Sequence, residues 1–213
     1  MIIEKPEARH LSIIAVCHRK AFPDALSSAM GQHYVEKMLE WYLVDSRAFL
    51  FFIEEKGICV GYCGGLVADG KVAVGSASSM IQHSFNQAIK AILMKPWLLL
   101  HREFLRKYRL VIKNVWRRIN KPKQAGKQSE TVKLIPHTGL IVIGVDPEFH
   151  GKGYGSMLLQ EFERQTRRKQ YKLMMLTVLK TNTSAIESYK RNGWKITREQ
   201  GNALELEKRI ENL

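Results

Sequence analysis

Thr138–Ser156 reads TGLIVIGVDPEFHGKGYGS, and the rest of the chain takes its meaning from this stretch. Leu140 to Val145 is an unbroken apolar run rich in β-branched residues, the pattern of a strand buried on both faces. Asp146-Pro147 ends it, because proline donates nothing to a ladder and biases the preceding residue toward extended backbone. Gly151, Gly153 and Gly155 follow at alternate positions and lead into Met157, Leu158, Leu159 and Phe162, which recur at helical spacing. Strand, glycine-rich turn and helix, in that order, aim backbone N–H groups and the positive end of a helix dipole at an anion. A phosphate or pyrophosphate cradle is the expectation; tight packing is the other use of such a turn.

The spacing narrows the choice. A dinucleotide fingerprint needs G-x-G-x-x-G and a P-loop needs G-x-x-x-x-G-K-[ST]. The chain has neither. His150-Gly151-Lys152-Gly153-Tyr154-Gly155 instead resembles the acetyl-CoA signature of the GNAT-type N-acetyltransferase superfamily, [Gln or Arg]-x-x-Gly-x-[Gly or Ala]. Gly153 and Gly155 fit; His150 stands where Gln or Arg is usual, which removes one side-chain contact from a loop that works mainly through its backbone.

A second motif lies downstream. KTNTSAIESYKRNGW matches the superfamily pattern Asn-x-x-Ala-x-x-x-Tyr-x-x-x-Gly-[Phe or Trp] at Asn182, Ala185, Tyr189, Gly193 and Trp194. The resemblance implies an α/β (α+β) GNAT fold: a mixed central sheet flanked by helices, with a splayed pair of strands for CoA. Acetyl-CoA would lie in that opening. Ile143 and Val145 would offer backbone groups to the pantetheine arm. The N–H groups of Gly151, Lys152, Gly153, Tyr154, Gly155 and Ser156 would take the pyrophosphate, with His150 at the loop's start. Asn182 would bond the pantetheine or cap its helix. Tyr189 would be the acid that protonates the departing thiolate, since a phenol is protonated at neutral pH. Transfer would be direct, in a ternary complex. The base is left open among His137, His150, His33, Glu148 and Asp146.

The remaining elements fit that order. Residues 1–4 form a first strand, Pro6 to Lys20 a helix with Leu11, Ile14, Ala15 and His18 at helical spacing, and Asp24 caps a second helical region. Ala48–Glu54 and Ile58–Val67 form a hairpin about Glu55-Lys56-Gly57. A helix runs from about Ser79 to Lys95, and Pro96 starts an amphipathic basic helix to Ile119. Leu173–Leu179 is a second central strand, Ser184–Arg191 a helix, and Trp194–Arg198 with Ala203–Glu207 a final pair. One domain over 1–213 is expected, with a basic helical insertion at about 79–127 and a flexible linker at about 120–133.

Composition adds limits. The 213 residues include three cysteines, Cys17, Cys59 and Cys63, without metal-ligand spacing, so buried free thiols and no metal are expected. Cys59 and Cys63, four apart on one strand, should share a face. The N-terminal MIIEKPEARH lacks a signal's apolar core and no run is long enough to span a bilayer, so a cytoplasmic protein is expected. The net charge is +14. Residues 81–127 hold twelve Lys or Arg against the single acid Glu103, hence +11 of that total. Four uses are open for this segment: a cover over the acceptor pocket, an anionic membrane surface met by residues 97–118, nucleic acid, or a homodimer or partner interface. The acceptor expected is an amine on a small molecule, an amino sugar or a protein. The alternative is a non-catalytic CoA-binding or scaffold protein that uses its basic helices to hold a membrane, RNA or a partner.

Overall fold

The sheet grows outward from the strand that Leu140–Val145 announces. In the computed structural model, which describes residues 2–70, 76–105 and 135–210, seven strands pair in the order β1-β2-β3-β4-β5-β7-β6. They are β1 (Ile2–Glu4), β2 (Ala48–Glu55), β3 (Ile58–Ala68), β4 (His137–Val145), β5 (Leu173–Leu179), β6 (Lys195–Gln200) and β7 (Ala203–Arg209). Every neighbouring pair is antiparallel except β4 with β5. The edge strand β6 is exposed throughout and carries the charges Lys195, Arg198 and Glu199, which discourage pairing with another chain.

Helices cover both faces. On one lie α1 (Leu11–Ala21), α2 (Leu26–Met30) and α3 (Gln32–Val44), packed over Leu50, Phe52, Cys59 and Tyr62. The helical region expected after Asp24 is two helices, because Gly31 at φ 103° breaks it. On the other face α6 (Tyr154–Arg168) and α7 (Thr183–Arg191) enclose Phe51, Ile53, Val60 and Cys63. Phe162, fully buried and stacked on Phe49 at 5.5 Å, anchors that core. Burying such a ring stabilises by roughly 1.5–3 kcal/mol.

Cys59 and Cys63 do not share a face. Ile53 pairs with Gly61 and Glu54 with Cys59, so Val60 is an extra residue that reverses the alternation. Cys59 therefore packs under α1 and Cys63 under α6. All three cysteines are free and buried.

The helix expected from Ser79 to Lys95 is also two, α4 (Ser76–His83) and α5 (Phe85–Met94). Ser84 separates them: its hydroxyl donates to Met80 O at 2.9 Å, the back-bond by which serine bends a helix. Pro96 opens a 3-10 turn, Pro96–Leu100, which His101 ends in extended conformation. Most of the expected basic helix and all of the expected linker lie outside the described residues. No helix among the described residues is long and apolar enough to cross a membrane.

Candidate active site

β4 and β5 pair over three positions only, Thr138 with Met174, Gly139 with Met175 and Leu140 with Leu176. Beyond them β4 continues five residues to Val145 and β5 three to Leu179, with no ladder between. The cause is local. Val142 pairs with Gly64 and Leu140 with Gly65, so Ile141 is a bulge that re-aims β4, while β5 stays in register with β7. The run read as buried on both faces is therefore enclosed to Leu140 and again at Gly144, with partly exposed residues around it. Ile141 is 39% exposed, and Val142, Ile143 and Val145 are half-buried. The β5-facing backbone of this half has no strand to bond, which leaves an apolar slot with polar groups on its wall.

At the end of the slot the chain turns sharply. Asp146 Oδ1 accepts from Glu148 N at 3.1 Å and starts the 3-10 turn Pro147–Phe149. Gly151 (φ 77°) and Gly153 (φ 85°) then take left-handed backbone that side chains disfavour. A Cβ at Gly151, Gly153 or Gly155 would meet nothing within 4 Å, so open space faces the loop. Met157 is the first residue of α6 whose N–H is taken, by Gly153 O. Among the described residues the N–H groups of 151–156 have no acceptor, and no acidic side chain offsets the helix end.

The loop's side chains mostly brace it. His150 Nε2 donates to Val145 O at 3.0 Å, folding the turn back on β4 and occupying that carbonyl. The Lys152 ammonium sits 4.7 Å from the Phe149 ring centroid. Tyr154 is buried and its hydroxyl donates to Glu55 Oε1 at 2.5 Å. Ser156 Oγ accepts from Asn192 Nδ2 at 3.1 Å, which ties the loop to the end of α7. What the loop presents to the open space is its backbone.

α7 brings in the second motif. Asn182 caps it, Oδ1 accepting from Ala185 N at 3.2 Å. Tyr189 is buried against Trp194 at 6.1 Å between ring centroids. Its pKa is pushed up to about 12, first by burial and then by the Cys63 thiol. Cys63, the charge neighbour of Tyr189, pairs with Ile143 on β4, past the last β4–β5 pair. The Tyr189 hydroxyl makes no hydrogen bond among the described residues, nor is it one of their buried oxygens cut off from every partner.

The candidates for a base scatter. His137 begins β4, eight steps or roughly 26 Å from Val145, and donates to Ile135 O. His33 is exposed on α3 beside Glu36. Asp146 is buried and, with Glu148, holds Lys20 at 2.9 Å each; these bonds raise the Lys20 pKa. Sequence reasoning put His18 on a helix face and missed its partners. Its ring bonds the Tyr62 hydroxyl at 2.5 Å through Nδ1 and Ser27 Oγ at 2.8 Å through Nε2, and burial lowers its pKa to about 4. Tyr62 pairs with Gly144, so this neutral pair backs β4 from the α1 face. A buried polar residue at a helix's core position was the only signal available.

Residues 130–194 match the model of the acetyltransferase (GNAT) family. That span holds the split strands, the loop and both motifs. Over that span the chain is similar to the GNAT family. No curated protein matches it in sequence. Its GNAT fold is shared with solved structures. PaiA N-acetyltransferase from Thermoplasma acidophilum, in complex with coenzyme A, is 12% identical, with 98% of each chain covered and a TM-score of 0.55. The ribosomal-protein-S18-alanine N-acetyltransferase of Escherichia coli is 13% identical over 100% of this chain and 95% of that one, at 0.56. A ribosomal-protein-alanine N-acetyltransferase from Brucella melitensis is 12% identical over 99% and 100%, also at 0.56. Such identities speak for the fold alone. The residues present suit acetyl-CoA: a helix end with free N–H groups takes a pyrophosphate, and the slot beside it takes an extended, amide-bearing arm. Among the described residues no cluster of His, Cys, Asp or Glu could hold a metal ion.

Proposed function

We propose that the chain is an N-acetyltransferase that moves an acetyl group from acetyl-CoA to an amine by direct attack in a ternary complex. The observation that carries this reading is the open cradle at 151–156 where β4 and β5 part. Bound there, acetyl-CoA supplies an acetyl group activated as a thioester. The β5-facing backbone of Ile141 to Ile143, which has no strand to bond, would hold the pantetheine amides, and the N–H groups of Gly151 to Ser156 would hold the pyrophosphate. The His150–Val145 bond and the Asn192–Ser156 bond would keep that cradle in shape before ligand arrives. Asn182 caps α7 and fixes where the helix that carries Tyr189 begins.

Tyr189 would act on the sulfur. As the C–N bond forms and the C–S bond breaks, its hydroxyl donates a hydrogen bond to the developing thiolate. Complete transfer from a phenol at about 12 to a thiolate ordinarily near ~8.5 is uphill by roughly 3.5 pK units. Stabilising the charge is thus the larger contribution, and the proton shed by the amine balances the reaction. The acceptor class we assign is an amine on a small molecule, an amino sugar or a protein.

Calorimetry with acetyl-CoA tests the cradle. Gly155 is the cleanest probe because its backbone is unstrained and open space lies ahead of it. Micromolar binding by the wild type, weakened about a hundredfold or more in Gly155→Glu at unchanged melting temperature, is expected. Absence of binding by a folded wild type would overturn the reading. If binding holds, release of free thiol is then followed across an amine panel; binding with no turnover on any amine would leave a CoA-binding protein and remove the enzyme.

A further inference from the structure

α5 is apolar on two sides. Ala91 is buried and Ile92 half-buried where the helix packs on α3, while Ile89, Leu93 and Met94 turn to solvent. Exposed apolar side chains continue through the next turn. Leu93 is 76% exposed, Trp97 63% and Leu100 75%, with Met94, Leu99 and Leu105 beside them in sequence. Seven of the fifteen exposed large apolar side chains among the described residues thus fall within 89–105. Scattered exposure of this kind is ordinary; its concentration marks a surface that meets something apolar.

Charge says what. Lys90 and Arg102 are exposed in the same stretch, whereas the Lys95 ammonium is tied back to Ala29 O at 3.1 Å. In sequence, residues 81–127 set twelve Lys or Arg against Glu103 alone. We propose that residues 89–105 dock the protein on an anionic lipid surface. Leu93, Trp97 and Leu100 would enter the boundary between headgroups and acyl chains, with Lys90 and Arg102 against lipid phosphates. A second copy would oppose two strongly cationic stretches. RNA would answer the charge and leave Leu93 and Leu100 in water. A bilayer with acidic headgroups satisfies both features at once. The proposal goes beyond acetyl transfer and does not depend on it.

Flotation with vesicles decides the matter. The full chain is mixed with vesicles of phosphatidylglycerol and phosphatidylcholine, or of phosphatidylcholine alone, at low and high salt. Binding to the anionic vesicles about tenfold or more tighter than to neutral ones, weakening as salt rises, is expected. The triple variant Leu93→Ser/Trp97→Ser/Leu100→Ser should lose it, and Lys90→Glu/Arg102→Glu should weaken it. Both variants should keep the wild-type melting temperature and acetyl-CoA affinity, because neither touches the cradle. The charge pair keeps the test decisive if the triple variant fails to fold. No flotation of the wild type, equal binding to neutral vesicles, or variants that float like the wild type would each overturn the proposal. So would a wild-type dimer in light scattering that the triple variant turns monomeric, which would assign the surface to a second copy.

Discussion

The two halves of β4 are built from the same kind of residue and end in different surroundings. Thr138 and Leu140 lie between β3 and β5 and are buried, and the Thr138 hydroxyl bonds Thr166 of α6 at 2.7 Å. Val142, Ile143 and Val145 keep β3 and lose β5, Ile141 bulges out of the β3 ladder, and all four are at least partly exposed. An apolar run encodes the character of what it touches; it does not say whether the partner is the protein itself. Where a neighbouring strand diverges, the same run becomes the wall of a ligand slot. α5 repeats the lesson on the surface, with one apolar side on α3 and another in solvent.

Tyr189→Phe probes the open half most strongly. Its hydroxyl has no partner among the described residues and lies beside Cys63. Removing it should leave stability within about 0.5 kcal/mol. It should lower kcat by roughly 10²- to 10⁴-fold, with the KM for acetyl-CoA nearly unchanged. Steady-state kinetics beside a melting curve separates the cases: a falling melting temperature with kcat intact would make Tyr189 a packing residue only.

The next contrast sets one half directly against the other. Leu140→Ala removes a side chain enclosed by protein and should cost about 2–5 kcal/mol in urea unfolding, with acetyl-CoA affinity kept. Ile141→Ala, one residue on, should cost less than about 1 kcal/mol and weaken acetyl-CoA binding several-fold, because it is exposed where β4 and β5 part. Equal costs at the two positions would mean that the split closes in solution.

Much of this was legible beforehand, and the misses have physical causes. The order of strand, loop, helix, strand and helix over 138–191 read correctly because apolar runs, glycines and caps all pointed one way. Ile141 and Val60 did not, since a bulge needs only one extra residue in a strand whose composition is unchanged. Ser84 also hid: a serine in an apolar helix pattern gives no sign that it will bond backward and break it. In the site, the loop positions were visible from glycine spacing, but the roles of their side chains were not. Tyr154, His150 and Ser156 turned out to hold the loop through Glu55, Val145 and Asn192, contacts that span 5 to 99 residues of sequence.

The smallest effect concerns the face that backs the open half. A Cβ on Gly144 would sit 2.9 Å from Phe22 and 3.0 Å from Tyr62, so α1 and β3 close tightly behind β4 there. His18 holds this backing through Tyr62 and Ser27 and stays neutral, its pKa lowered by burial from 6.5 to about 4. Above pH 6.5 the ring is neutral folded and unfolded, and the stability is whole. As pH falls from 6.5 toward 4, the unfolded chain takes a proton that the folded one refuses, so stability is lost across that window. At pH 5 the unfolded ring lies 1.5 pH units below its pKa, a loss of about 2 kcal/mol at 1.36 kcal/mol per unit. Tyr62, itself raised by burial, does not ionise in this range and leaves the effect to His18. His18→Gln keeps a polar group and removes the titration. Its unfolding free energy should fall less between pH 7 and pH 5 than the wild type's, by about that amount, while other groups cancel in the difference. An equal fall in both proteins would mean that water reaches the ring, and that the open half of β4 is open on both faces.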